Sequence, residues 1–149
     1  MSKAVIRRAM AGDMPACAAI LNRWIDEADW MPRCHPPTDV QRHYCTYMRA
    51  NRVVIVAEHG GLIVGFLARD GQTITAFYVA ATWRGAGIGS ALLEKARTGQ
   101  ARLDLWTFQA NASVRRFYAK QGFREVRRTD GDNEENLADM LLEWRRETV

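Results

Sequence analysis

The chain has 149 residues, 48% of them apolar and 26% charged, with a net charge of +4. Those values fit a single soluble domain with a real core, and they exclude a disordered or fibrous chain. No apolar run approaches the roughly 20 residues that span a bilayer, and no signal peptide is expected after Met1-Ser2-Lys3-Ala4-Val5, where Arg7 and Arg8 follow.

The three cysteines, Cys17, Cys34 and Cys45, argue against a disulfide framework and make the cytoplasm the default location. The basic residues are scattered, so a nucleic-acid face is not expected, whereas a polyanionic cofactor suits the mild positive balance.

Val5 to Arg8 reads as a strand. Asp13 is expected to cap a helix reaching about Glu27, with Pro15 in its first turn and Cys17, Ile20, Leu21 and Trp24 at helical spacing. The prolines of 30–37 enforce a loop. Thr38 is expected to cap a second helix to about Arg49, with Val40, Tyr44, Tyr47 and Met48 on its apolar side.

Three strands follow as a meander: Val53 to Glu58, Leu62 to Arg69, and Thr73 to Val79. Turns fall at His59-Gly60-Gly61 and Asp70-Gly71. A helix around Ser90 to Ala96 ends at Gly99. Arg102 to Trp106 is a strand, Ala112 to Gln121 a helix stopped by Gly122, and Phe123 to Arg128 a strand. After the acidic loop Thr129 to Asn136, Met140 to Trp144 closes the chain as a strand. The expectation is a mixed α/β fold of about seven strands and four helices, ordered β-α-α-β-β-β-α-β-α-β-β, as one domain over 1–149.

The most informative segment is Arg84-Gly85-Ala86-Gly87-Ile88-Gly89-Ser90, which leaves a strand and opens a helix. A helix N-terminus offers unpaired N–H groups and partial positive charge, and so takes phosphate. Glycines let the anion approach the backbone, and Arg84 adds a charged donor. A Walker loop would need Gly-Lys-Ser/Thr, and a dinucleotide fingerprint a G-x-G-x-x-G spacing early in the chain; neither is present.

This stretch resembles the Q/R-x-x-G-x-G/A signature of the GNAT acetyltransferases. Asn111 to Phe123, with Phe117-Tyr118 and Gly122-Phe123, resembles the second block of the same family, and the element order is similar over the whole chain. The resemblance implies the GNAT acyl-CoA N-acyltransferase fold and acetyl transfer from acetyl-CoA to a primary amine by direct attack.

Carried over residue by residue, it places the pyrophosphate on Arg84, Gly85, Ala86, Gly87, Ile88 and Gly89, with Ser90 adjacent. Phe77, Tyr78 and Val79 fall beside the pantetheine arm, and a backbone N–H near Val79 faces the oxyanion. Asn111, Ser113, Phe117 and Lys120 join the cofactor contacts, although Phe117 and Phe123 also read as packing. Tyr118, with an ordinary pKa of about 10, becomes the acid that protonates the thiolate. The family's glutamate on the fourth strand has no counterpart in Thr73 to Tyr78, which leaves the base unassigned.

Two segments are expected to line the acceptor site. Trp30-Met31-Pro32-Arg33-Cys34-His35 and the acidic 129–136 loop both resemble segments of a bacterial GNAT subgroup. Trp30, His35, Asp130, Asn133 and Glu134 are the candidates, with the carboxylates attracting a cationic amine, small or peptidic. Cys34, His35, His43 and Cys45 match no zinc spacing, so no metal is expected. A homodimer is compatible with the family's habits. A non-catalytic CoA-binding module on the same fold is the alternative, and a third is DNA binding through Arg115, Arg116, Lys120, Arg124, Arg127 and Arg128.

Overall fold

A computed structural model describes residues 4–147. Its elements run β1 (Val5–Arg8), α1 (Met14–Glu27), α2 (37–51), β2 (Val53–His59), β3 (Leu62–Asp70), β4 (Thr73–Val79), α3 (Ile88–Arg97), β5 (Arg102–Phe108), α4 (Ala112–Lys120), β6 (Arg124–Arg128) and β7 (Asp139–Arg145). The expected element order holds throughout.

The strands form one sheet in the order β1-β2-β3-β4-β5-β7-β6. Every pairing is antiparallel except β4–β5, which is parallel because α3 carries the chain across. The near-continuous apolar runs of β2 and β3 follow from burial on both faces. Successive side chains point to opposite sides of a strand. Thus Val54, Val56, Phe66 and Ala68 pack with Met14, Cys17 and Ala18 of α1 and with Val40, Tyr44 and Met48 of α2. Ile55, Ala57 and Leu67 pack in a second core with Leu92, Leu93 and Ala96 of α3. Gly65 lets α3 approach: a Cβ there would meet Ile88 Cγ2 at 3.1 Å and Leu92 Cδ1 at 3.3 Å.

Two expected caps are absent. Asp13 sits at the start of α1, but its carboxylate accepts from Arg7 Nη1 at 2.8 Å and Nη2 at 3.0 Å, and from the Met10 N–H at 2.7 Å. A charged partner outcompetes the neutral amides of the helix. Arg7 Nη2 also donates to Glu58 Oε1 at 2.6 Å, tying β1 to β2. Thr38 is likewise no cap: α2 starts at Pro37, whose fixed φ suits the first helical position, and Thr38 is exposed. Tyr47, expected on the apolar side of α2, is 45% exposed. There α2 passes through a π-helical turn, Tyr44–Met48, and the wider winding rotates the face.

Candidate active site

β4 and β5 pair at only two positions, Thr73 with Asp104 and Ile74 with Leu105. The base of this junction is latched: Thr73 Oγ1 donates to Asp104 Oδ1 at 2.6 Å, and the Asp104 N–H donates to Gln72 O at 2.9 Å. Beyond it each strand follows a different neighbour. β4 stays with β3 to Val79 and carries an extra residue, Thr75, in that ladder, while β5 stays with β7 along its whole length. A bulge increases local twist, so the two strands diverge. The split leaves strand-edge amides and carbonyls unpaired, a ready partner for an extended amide-bearing chain.

Two cavities flank the split. The smaller, about 100 Å³, lies between 74–78 of β4 and 105–108 of β5, closed by Trp24, Asn111, Val114 and Tyr118. The larger, about 550 Å³, runs from Phe77, Tyr78 and Val79 to the glycine turn, where Arg84, Gly85, Gly87, Gly89 and Ser90 line it opposite Ser113 and Phe117. Trp24, Phe77, Tyr78, Val114 and Tyr118 line both, so the cavities meet there.

The turn is built as its sequence suggests. Gly85 and Gly87 have φ of +81° and +84°, a conformation that suits only glycine well, and a Cβ at either would face open space. Gly87 is the N-cap of α3 and supplies no side-chain cap, which leaves the first-turn N–H groups for an anion. Gly89 is also constrained by packing: a Cβ would lie 3.3 Å from Phe117 Cζ. Arg84 donates through Nε to Val79 O at 3.1 Å, so it braces the turn as well as lining it. The Ile88 side chain is buried in the core, Ala86 is exposed, and neither lines the cavity. This open left-handed turn, a helix N-terminus and a free strand edge together fit a diphosphate followed by a pantetheine arm.

Tyr118 is 6% exposed and packs against Phe77, Phe117 and Phe123 at centroid distances of 6.2, 5.5 and 5.3 Å. Burial, with a smaller contribution from Tyr78, raises its pKa well above the ordinary value, so the proton stays on at neutral pH. Burial and then the Glu135 carboxylate push the Tyr78 hydroxyl up to about 12. Asn111 lines the smaller cavity rather than the larger, and its Oδ1 accepts the Val114 N–H at 3.4 Å as the cap of α4. Lys120, expected beside the cofactor, is exposed on the last turn of α4 and lines neither cavity.

The two expected acceptor segments do meet. His35 Nε2 pairs with the Glu134 carboxylate, and Cys34 Sγ donates to Glu134 O at 3.8 Å. Trp30 lies edge-on to Trp24 and to Phe108, each at 5.7 Å. Arg33 fastens the 28–36 loop to α1. It donates to Asn22 Oδ1 at 3.0 Å, Asn22 O at 3.1 Å and Asp26 Oδ1 at 2.9 Å, and also to His35 O at 3.0 Å.

Asn133 braces its own loop. Its amide bonds Leu137 O at 2.8 Å and Asp139 Oδ2 at 3.1 Å and accepts from the Leu137 N–H at 3.2 Å. Asp130 is exposed and outside both cavity linings. The basic run is partly used internally: Arg127 covers Trp106 at 5.1 Å, Arg128 pairs with Glu125, and Arg115 donates to Gln109 O at 3.0 Å. Sequence reading missed Trp24, Thr75, Thr107 and Phe108 as cavity residues. Trp24 shows only a helical apolar spacing, which does not distinguish a core face from a cavity wall.

A sheet split beside a glycine-turned helix N-terminus defines an acyl-CoA-binding class of fold, and the comparisons agree. Residues 50–125 match the acetyltransferase (GNAT) domain family. The chain is 29% identical over 147 residues to the peptidyl-lysine N-acetyltransferase YiaC of Escherichia coli K12, covering 94% of this chain and 96% of that protein. The solution structure of apo YjaB from Escherichia coli superposes with a TM-score of 0.79 at 23% identity, over 96% of this chain and 98% of that one. The structure of yncA from Salmonella typhimurium, solved with its cofactor acetyl-CoA, gives 0.74 at 21% identity, over 99% of this chain and 97% of that one. The chain belongs to the GNAT acetyltransferase family. It is an acetyl-CoA-dependent N-acetyltransferase whose acceptor is a small molecule or a peptide. Among the described residues no helix is long and apolar enough to cross a membrane.

Proposed function

We propose that the larger cavity takes acetyl-CoA with its diphosphate on the amides of 84–89, and that a primary amine reaches the acetyl group through the smaller cavity. Bound acetyl-CoA supplies the acetyl group already activated as a thioester. The position of Tyr118 at the meeting point of the two cavities carries this reading.

The α3 N-terminus holds the diphosphate through unpaired N–H groups and the helix dipole. The free edge of β4 aligns the pantetheine arm, and a β4 amide near Val79 receives the carbonyl oxygen as charge develops there. Tyr118, kept protonated by burial, gives its proton to the departing sulfur. Phe77 and Phe117 hold the ring in place and exclude water. The likeness to a peptidyl-lysine acetyltransferase over almost the full chain supports an amine on a flexible alkyl stem as acceptor.

Gly87→Glu should abolish acetyl-CoA binding in calorimetry while circular dichroism shows the fold retained, because the carboxylate takes the anion's place. Undiminished affinity would refute the diphosphate assignment.

A further inference from the structure

A third cavity, of about 350 Å³, lies between the sheet and the last turn of α3. It shares no lining residue with the two cavities described above. Residues two apart on a strand face the same side. The register sets Arg8 opposite Ile55, Ile55 opposite Leu67, and Val53 opposite Arg69. Ile6, Val53, Ile55 and Leu67 therefore floor the cavity, with Arg8 and Arg69 on the same face at its edge. Lys95 and Thr98 close it from α3. Ile6 and Val53 are only half-buried, so part of this floor meets water.

The rim carries charge of one sign. Arg8, Arg69 and Lys95 line the cavity, and no acid does. Arg7 also lines it, but its guanidinium is committed to Asp13 and Glu58. The exposed side chains of Arg8 and Lys95 have no hydrogen bond or ion pair among the described residues. Arg69 donates to Gly71 O at 2.9 Å, a neutral partner that leaves its charge unbalanced. Asp70, its neighbour in the chain, faces Arg52 at 3.8 Å. A helix C-terminus is normally a negative pole. Here its carbonyls are occupied: the Thr98 N–H donates to Lys95 O at 3.2 Å, and Arg97 O accepts the Gln100 N–H at 2.9 Å and Arg146 Nη2 at 2.7 Å. Like charges around a concave wall of low dielectric focus an attraction for anions. An apolar floor under a few charged groups is also the usual make-up of a small-molecule site, and the volume falls within that range.

We propose that this cavity binds a small anionic amphiphile, an alkyl carboxylate. Its chain lies on Ile6, Val53, Ile55 and Leu67, and its head meets Arg8, Arg69 and Lys95. The site is separate from acetyl transfer: it sits at the far end of α3 from the glycine turn and does not depend on what that turn holds.

The probe is octanoate, whose carboxyl group is ionised at neutral pH. Titrated into the isotope-labelled protein, it should shift the methyl resonances of Ile6, Val53, Ile55 and Leu67 together, with saturation. Hexylammonium, with a similar body and the opposite charge, should leave those methyls in place. Inorganic phosphate, an anion without a body, should bind at least 10-fold more weakly. Arg8→Glu and Lys95→Glu should each weaken octanoate roughly 10-fold, because each removes a charged partner of the head. Arg49→Glu makes the same change of net charge on the exposed side of α2 and should match the wild type. Raising the salt to 0.5 M should weaken the complex as well. No saturable shift at these methyls in the wild type would overturn the proposal, a result that requires no variant to fold. Shifts centred on Val79 and Val114 would also overturn it, as would equal binding of hexylammonium or of phosphate at these methyls. So would folded Arg8→Glu and Lys95→Glu proteins that hold octanoate within twofold of the wild type.

Discussion

Tyr118 and Gly89 show how one residue can serve packing and chemistry together. The rings of Phe77, Phe117 and Phe123 bury Tyr118, and that burial keeps its hydroxyl protonated. Tyr118→Phe keeps the packing and removes the proton. It should lower kcat by roughly 10²-fold with KM little changed, as read in steady-state kinetics. Gly89→Ala should push Phe117 by a few tenths of an ångström. The expected result is a weaker acetyl-CoA affinity by calorimetry with the fold retained. The sequence made Gly85 and Gly87 legible because a run of glycines before a helix has few uses. The packing of Gly89 against Phe117 was not legible, since contact with a ring on another helix leaves no local trace.

At the scale of elements, the site depends on a sheet that comes apart in one place. The order of strands and helices was readable because each element has a clear period and clear turn residues. The insertion of β7 between β5 and β6 is not a local property, and the order of elements along the chain does not disclose it. The split likewise arises from a bulge at Thr75 and a latch between residues 31 positions apart. Thr73→Val removes the latch while keeping the shape. It should cost about 1 kcal/mol in chemical denaturation, because Asp104 is left with an unmet acceptor. The failed caps follow the same logic: Asp13 and Thr38 carry the right residue type for a cap, but Arg7 and Pro37 decide what happens there.

Across the whole molecule, charge and thiols give two tests of the packing. The hydrogen bonds from Arg7 hold the Asp13 carboxyl below its usual value of about 3.9. A depressed carboxylate stabilises the fold above its unfolded pKa and loses that contribution as pH falls through the folded value. Melting temperature should therefore fall on acidification below about pH 4, and less steeply in Asp13→Asn. Cys17 is fully buried and its thiol is pushed up to about 12 by burial, whereas Cys34 and Cys45 are exposed. A thiol reagent should label Cys34 and Cys45 in the native protein and reach Cys17 only after denaturation, as mass spectrometry of the labelled peptides would reveal.

The anchoring of the 28–36 loop has a consequence for how selectivity can change. Arg33 moors that loop to Asn22 and Asp26, both on α1, and no anchor lies on the glycine turn or on α3. Because His35 and Cys34 also hold Glu134, helix, loop and the 129–136 segment together form a cassette that can be transplanted between relatives as a unit. A chimaera carrying another relative's cassette should inherit the donor's choice of amine while the grip of the glycine turn on the diphosphate stays that of the recipient.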